Sequence, residues 1–187
     1  SSLLPGAVEI IDTDELLERL NDDLTADAVS YAYCRLFDIL ISDWDRHGDQ
    51  WVWAVDSSNV AHPIPLDRDM TFYQFDDGLI NKMALLINPK FQSFDSTLKN
   101  PDGYLVNGRE IDLKILKDVT LQEWDSLADV LDKSLSEKII EQSLQSYPEN
   151  IFDVYGIHHA EIIKARKKKT DVTARFLYTS YSSLSTR

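Results

Sequence analysis

Residues 35–72, RLFDILISDWDRHGDQWVWAVDSSNVAHPIPLDRDMTF, concentrate acidic, aromatic and turn-forming side chains more than any other part of the chain. Residues 36–41 repeat apolar side chains at helical spacing behind Val29, Ala32 and Tyr33, and the polar run 42–50 ends that helix in a loop. Two β-favouring runs follow, residues 51–55 and 60–66, separated by Asp56-Ser57-Ser58-Asn59, which has the composition of a turn. Together they predict an antiparallel hairpin. A hairpin returns the chain to where it began, so the loop before its first strand and the loop after its second meet at one end. Asp45, Asp49 and Gln50 are therefore expected beside Asp67 and Asp69.

From Asp43 to Asp77 the sequence holds eight Asp, no Glu and no Lys, with Arg46 and Arg68 the only permanent cations. Unit charges ~4 Å apart repel by about 1 kcal/mol in water and by several times that near a protein surface. Protons or a bound cation must offset such crowding, and a hard divalent ion suits carboxylate oxygens best.

Asp45-Arg46-His47-Gly48-Asp49-Gln50, followed by a hairpin and Leu66-Asp67-Arg68-Asp69, resembles the catalytic half of atypical protein kinases of the HipA, spore-coat CotH and secretory-pathway types. In protein kinases the catalytic-loop Asp accepts the proton of the substrate hydroxyl, an Asn five residues on holds metal, and an Asp after the next hairpin holds metal against the ATP phosphates. The resemblance implies Asp45 as base with Arg46 or His47 positioning it, and Gln50 with Asp67 or Asp69 as ligands of Mg²⁺ or Mn²⁺. Gln50 stands at the Asn spacing but is one methylene longer, and both Asp67 and Asp69 stay open for the metal role. The implied fold is α+β and mainly helical, a kinase C-lobe with one or two small β-hairpins. ATP is the implied nucleotide.

Taken as a whole, 187 residues with 43% hydrophobic side chains suit a single domain over 1–187 with a real core. The net charge of −13 lies in the first 80 residues, which hold 17 acids against four Arg, whereas 15 acids meet 15 bases in the rest. Such a surface repels nucleic acid, which is bound chiefly by Lys and Arg. No apolar run reaches the ~18 residues of a membrane span. The chain opens Ser-Ser-Leu-Leu-Pro, with neither Met nor a leader, and reads as a fragment. Cys34, the only cysteine, reads as a core residue that cannot form an internal disulfide.

Asp12 to Glu15 reads as the start of a helix with Leu16, Leu17 and Leu20 on one face, and the helix leading into the acidic loop is expected to begin near Thr25. Residues 79–87 have helical spacing, and 92–103 form the longest expected loop, read as a connection rather than a lid. Residues 104–113 alternate around Asn107-Gly108 and predict a second hairpin. Residues 120–131 and 136–144 read as packing helices. A C-terminal helix is expected over 156–187, running without a break through the solvated charge run Lys167 to Lys169.

His47 and His62 lack zinc spacing, so His47 reads as orienting the loop around Asp45. Trp44, Trp51 and Trp53 read as core. Pro63 and Pro65 put their missing N–H groups on one edge of the second strand, which should then be unpaired. Calcium loops beginning at Asp43 or Asp67 fail, since Ala54 and Gly78 stand where the bidentate Glu belongs.

The six Gly form no phosphate loop and no Lys precedes Lys82, so the resemblance implies an N-lobe, or other domains of a longer parent, as partner. The order of elements and the basic terminal helix also resemble a segment of large bacterial outer-membrane proteins, which implies a periplasmic or surface location. Two functions are therefore expected in competition: metal-dependent phosphoryl transfer from ATP, or a non-catalytic, pseudokinase-like module of interaction or assembly.

Overall fold

A strand, β1 (Ala7–Asp12), turns directly into a short helix, α1 (Thr13–Arg19). Residues 6–20, 22–75, 88 and 90–182 are described by the computed structural model. Asp12 caps α1, its carboxylate accepting from the Glu15 N–H at 2.8 Å, and Arg19 closes the last turn with ion pairs to Glu9, Glu15 and Asp23. A two-residue strand, β2 (Thr25–Ala26), precedes α2 (Ala28–Ile41). Here the expected helix start at Thr25 is corrected. Thr25 N–H bonds to Asn59 O and Asp27 N–H to Ala61 O, which draws these residues into the sheet, and Asp27 caps α2 by accepting from the Ser30 N–H.

The predicted hairpin is present as β3 (Trp51–Asp56) and β4 (Val60–Pro65), antiparallel, with Trp51 opposite Pro65 and Val55 opposite Ala61. Among the described residues the sheet has four strands in the order β1-β3-β4-β2, mixed because β2 runs parallel to β4. The edge of β4 expected to be unpaired is taken by β2 at Val60 and Ala61, and among the described residues its proline-bearing part, from Pro63 on, has no strand partner.

Beyond the sheet the fold is helical: α3 (Arg109–Ile115), α4 (Leu121–Ser134), α5 (Glu137–Leu144), a short α6 (Glu149–Ile151), α7 (Ile157–Lys167) and α8 (Thr170–Ser182). Thr120 and Glu123 form a capping box on α4, and Ser136 caps α5. The main core joins Trp51, Trp53 and Ile11 of the sheet to Leu36 and Ile39 of α2, Trp124 of α4 and Leu177 of α8. Each fully buried aliphatic side chain of this kind contributes about 1.5–3 kcal/mol. Trp44, Trp51 and Trp53 are buried, as expected of core residues. A smaller cluster gathers Phe94, Ile140, Leu144, Ile162 and Ile163 where α5 meets α7.

Two further expectations are corrected. The second hairpin is absent: residues 101–105 form a 3-10 turn, and Gly108 caps α3. A Cβ on Gly108 would lie 3.0 Å from Arg35 Nη2 and Asp112 Oδ2 and 3.1 Å from Arg46 O, so this glycine serves close packing rather than a turn. The C-terminal helix is broken between α7 and α8, where Lys169 N–H bonds back to Arg166 O and Thr170 Oγ1 donates to Lys167 O. Lys167 pairs with Asp132, while Lys168 and Lys169 are exposed. The helix expected over 79–87 lies outside the described residues. Among the described residues no helix is long and apolar enough to cross a membrane.

Candidate active site

The acidic loop is set by the end of α2. Ser42 adopts a left-handed conformation, φ 62°, and ends the helix while its hydroxyl bonds to Tyr104 Oη at 2.6 Å. From there the chain runs through Asp43, Trp44 and Asp45 to a 3-10 turn, Gly48–Gln50, whose Gly48 carbonyl accepts from Thr13 Oγ1 at 2.8 Å.

Arg46 joins the two ends of the hairpin. Its Nη1 donates to Leu66 O at 2.9 Å and Asp67 O at 2.8 Å, and its Nη2 to Gln50 O at 3.1 Å. Its guanidinium lies 4.3 Å from the centre of the Trp51 ring, and Leu66 N–H closes the ladder onto Gln50 O at 2.8 Å. The two loops therefore meet as the sequence predicts. Arg46 is fully buried, and its bonds run to backbone carbonyls and buried acids. Arg46 shapes the loops rather than presenting itself to a ligand.

The acids fall into two small groups. Asp45, with 29% of its side chain exposed, accepts from Asn107 Nδ2 at 2.5 Å, and its other oxygen lies 3.9 Å from His47 Nε2. His47 Nδ1 lies 3.6 Å from Asp49 Oδ2, which places His47 between two carboxylates. Across the junction Asp67, with φ 21°, accepts the Asp69 N–H on Oδ1 at 3.0 Å. Among the described residues no group of three or more His, Cys, Asp or Glu side chains is placed to hold a metal ion. The expected convergence is thus of the loops and not of a closed carboxylate cage. Asp76 and Asp77, part of the acidic count, lie outside the described residues.

Asn107 is the site residue that sequence reasoning missed. Its Oδ1 lies 3.4 Å from Lys90 Nζ, so one amide spans the Asp45 carboxylate and an ammonium. Its local signal, Asn followed by Gly, is that of a hairpin, and only the fold brings it across 62 residues to Asp45.

Behind the loops lies a buried charge network that was also not foreseen. Asp112 accepts from Arg35 Nε at 2.9 Å, Arg35 Nη2 at 3.0 Å, Tyr31 Oη at 2.8 Å and Tyr181 Oη at 2.5 Å. Asp38 faces Arg35, Arg46 and Arg68, the last at 2.6 Å. Burial raises Asp38 above the usual carboxylate range despite these three cations. Burial, and after it the Asp38 carboxylate, push Asp43 up to about 6. Three Arg and three Asp thus lie together directly beneath the loop, a buried polar frame in which pairing offsets only part of the cost of burial.

Comparison of the chain with protein-family models, curated proteins and solved structures finds no significant match.

Proposed function

We propose that this site belongs to a kinase-like lobe and transfers a phosphoryl group from a metal–nucleotide to an acceptor hydroxyl, with Asp45 as the general base. The observation that carries the reading is the Asp45 carboxylate itself: partly exposed where the hairpin loops meet, and fixed through one oxygen by Asn107 at 2.5 Å. The bond to Asn107 sets the plane of the carboxylate, and the second oxygen takes the acceptor proton. Lys90 holds the Asn107 amide from its other end. His47 orients Asp45 against Asp49, and Arg46 keeps the loops in register from below.

Gln50, Asp67 and Asp69 supply oxygen donors on the facing loop. Mg²⁺ is commonly held by one or two carboxylates together with substrate phosphates rather than by an all-protein cage, so this donor set fits Mg²⁺ or Mn²⁺ carried with ATP. The bound ion would neutralise charge on the phosphates. A helix, an acidic loop, a hairpin and a second acidic loop follow in the order that the resemblance to atypical kinases implies.

The test, made on a longer parent that carries the implied N-lobe, is ADP formation from ATP with Mg²⁺ or Mn²⁺ and hydroxyl acceptors. Asp45→Asn is expected to lower turnover by about 10²–10⁴-fold while leaving ATP affinity unchanged. Unchanged turnover would remove Asp45 from the base role. The absence of a closed acidic cage among the described residues favours one competing reading, a non-catalytic interaction module. Failure of a longer parent that carries the implied N-lobe to bind ATP in either metal would establish that reading instead.

A further inference from the structure

The run Trp51-Val52-Trp53-Ala54-Val55 in β3 is apolar at every position. A sheet with one face in water normally alternates apolar with polar side chains, and an unbroken apolar run belongs to a strand covered on both faces. In this sheet the helices cover one face. Residues directly opposite in an antiparallel pair share a face, and Ile11, Trp53 and Pro63 stand opposite one another on the helical side. There Trp53 Nε1 donates to Thr13 Oγ1 of α1 at 3.1 Å, and the rings of Trp51 and Trp53 lie 4.7 Å and 5.5 Å from that of Tyr31 on α2. The alternate positions build the other face from two cross-strand rows, Ile10–Ala54–His62 and Asp12–Val52–Ile64. Four of these six side chains are apolar, where a solvated face calls for polar ones. Ile10 is 53% exposed, Val52 and Ile64 are half-buried, and Ala54 is buried in the middle of its row.

The charges around these rows have one sign. Asp12 ends the second row and is exposed, while Asp27 and Asp56 hold His62 at 2.9 Å and 3.1 Å, a trio that is net negative in either protonation state of the imidazole. No Lys precedes Lys82, and the four Arg of this half are engaged elsewhere. Arg19 pairs with Glu9, Glu15 and Asp23, Arg35 and Arg46 are buried, and Arg68 pairs with Asp38. A second copy docked face to face would set the same acids against each other, and an anionic membrane is repelled likewise. An apolar centre rimmed by acids is complementary to an apolar stripe flanked by cations. Helices are the elements that layer onto a sheet face, and an amphipathic helix presents such a stripe.

We propose that this face docks a basic amphipathic helix of a partner protein, its apolar stripe on Ile10, Val52 and Ile64 and its Lys or Arg side chains towards Asp12, Asp27 and Asp56. The surface lies on the opposite side of the sheet from α2, the helix that leads into the acidic loop, and it does not depend on the phosphoryl-transfer reading.

The probe is a fluorescein-labelled synthetic helix of Leu and Lys, about 15 residues long so that it is helical in water, titrated with the whole chain at about 0.15 M salt and followed by anisotropy. The controls are the same peptide with Glu for Lys and with Ala for Leu, which keep helix propensity. Saturable binding of one peptide is expected, with each control weaker by at least about tenfold. The acids also cap helices and hold the turn, so the variants are taken at the apolar positions. Ile10→Thr, Val52→Thr keeps β-branched side chains in the strands and should weaken binding about tenfold. Ile10→Thr alone, at a largely exposed position, should weaken it about threefold and decides the matter if the double variant melts early. Val130→Ala, equally exposed on α4, should change nothing. No saturable binding, equal affinity for the Glu or Ala peptide, undiminished binding by Ile10→Thr, or an equal loss in Val130→Ala would each overturn the proposal. Wild-type dimers in sedimentation, or co-sedimentation with phosphatidylserine vesicles, would overturn it too if either is lost in Ile10→Thr, because the face would then belong to a second copy or to a membrane.

Discussion

Replacing Asp112 by Ala is the sharpest test of the frame beneath the acidic loop. Asp112 is fully buried and accepts four hydrogen bonds, two from Arg35 and one each from Tyr31 and Tyr181. After the substitution Arg35 keeps only the Tyr104 carbonyl at 3.0 Å and Asp38 at 3.5 Å. Removing one partner of a buried ion pair costs about 3–5 kcal/mol, and the orphaned tyrosine hydroxyls add to it by about 1 kcal/mol each where water does not reach them. Domains are stable by about 5–15 kcal/mol in all, so the variant is expected to be close to unfolding at room temperature. At about 2–4 °C per kcal/mol for a chain of this size, the ion pair alone should lower Tm by roughly 6–20 °C. Urea unfolding followed by circular dichroism, with calorimetry for Tm, measures both quantities. The double variant Arg35→Met, Asp112→Leu should be more stable than Asp112→Ala, because removing both charges avoids an unpaired one. A loss below about 1 kcal/mol, or a double variant no better than the single, would refute the reasoning.

Gly108→Ala should cost about 1–3 kcal/mol by overpacking against Arg35, Asp112 and the Arg46 carbonyl, and it should lower turnover by displacing the neighbouring Asn107 from Asp45. Loss of stability with full activity would separate Asn107 from the function of Asp45. His62 bridges Asp56 at 3.1 Å and Asp27 at 2.9 Å, and the hydrogen bond to Asp56, then that to Asp27, raises its pKa. A raised folded-state value means that this stabilisation is complete below the unfolded imidazole pKa of about 6.5 and is lost as pH rises through the folded value. Tm of the wild type should therefore fall from about pH 6 towards about pH 9 more steeply than that of His62→Gln. Parallel curves would exclude His62 from the effect.

Local signals carried much of this structure. The β3–β4 hairpin follows from two β-favouring runs around a four-residue turn, and α1, α4 and α5 follow from their caps and apolar spacing. The meeting of the loops at 45–50 and 66–69 follows from hairpin geometry alone. What failed to show in the sequence depends on partners far away in the chain. Asn107-Gly108 looks like a hairpin turn, yet its glycine is required by Arg35 and Arg46, more than 60 residues earlier. Thr25 and Ala26 join the sheet only because Asn59 to Ala61 offer backbone groups to them. Arg35 borders a run that reads as helical and Asp112 stands in one that reads as a hairpin, and their pairing spans 77 residues. Among the described residues the carboxylates form no single cage, and Arg46 turns inward and fixes the loops through their backbone.

The most direct test of the proposed metal site is thermal unfolding in Mg²⁺ or Mn²⁺ against NaCl of equal ionic strength, which controls for screening of exposed acids. A cation that binds only the folded state stabilises by RT ln(1 + [L]/Kd), about 2.7 kcal/mol at a hundredfold excess over Kd, and without ATP phosphates the affinity should be roughly millimolar. Wild type should gain more from the divalent ions than from NaCl, and the Asp67→Asn, Asp69→Asn double variant should lose that gain while remaining no less stable in their absence. Equal shifts for wild type and double variant, or a match by NaCl, would contradict a metal site at these loops.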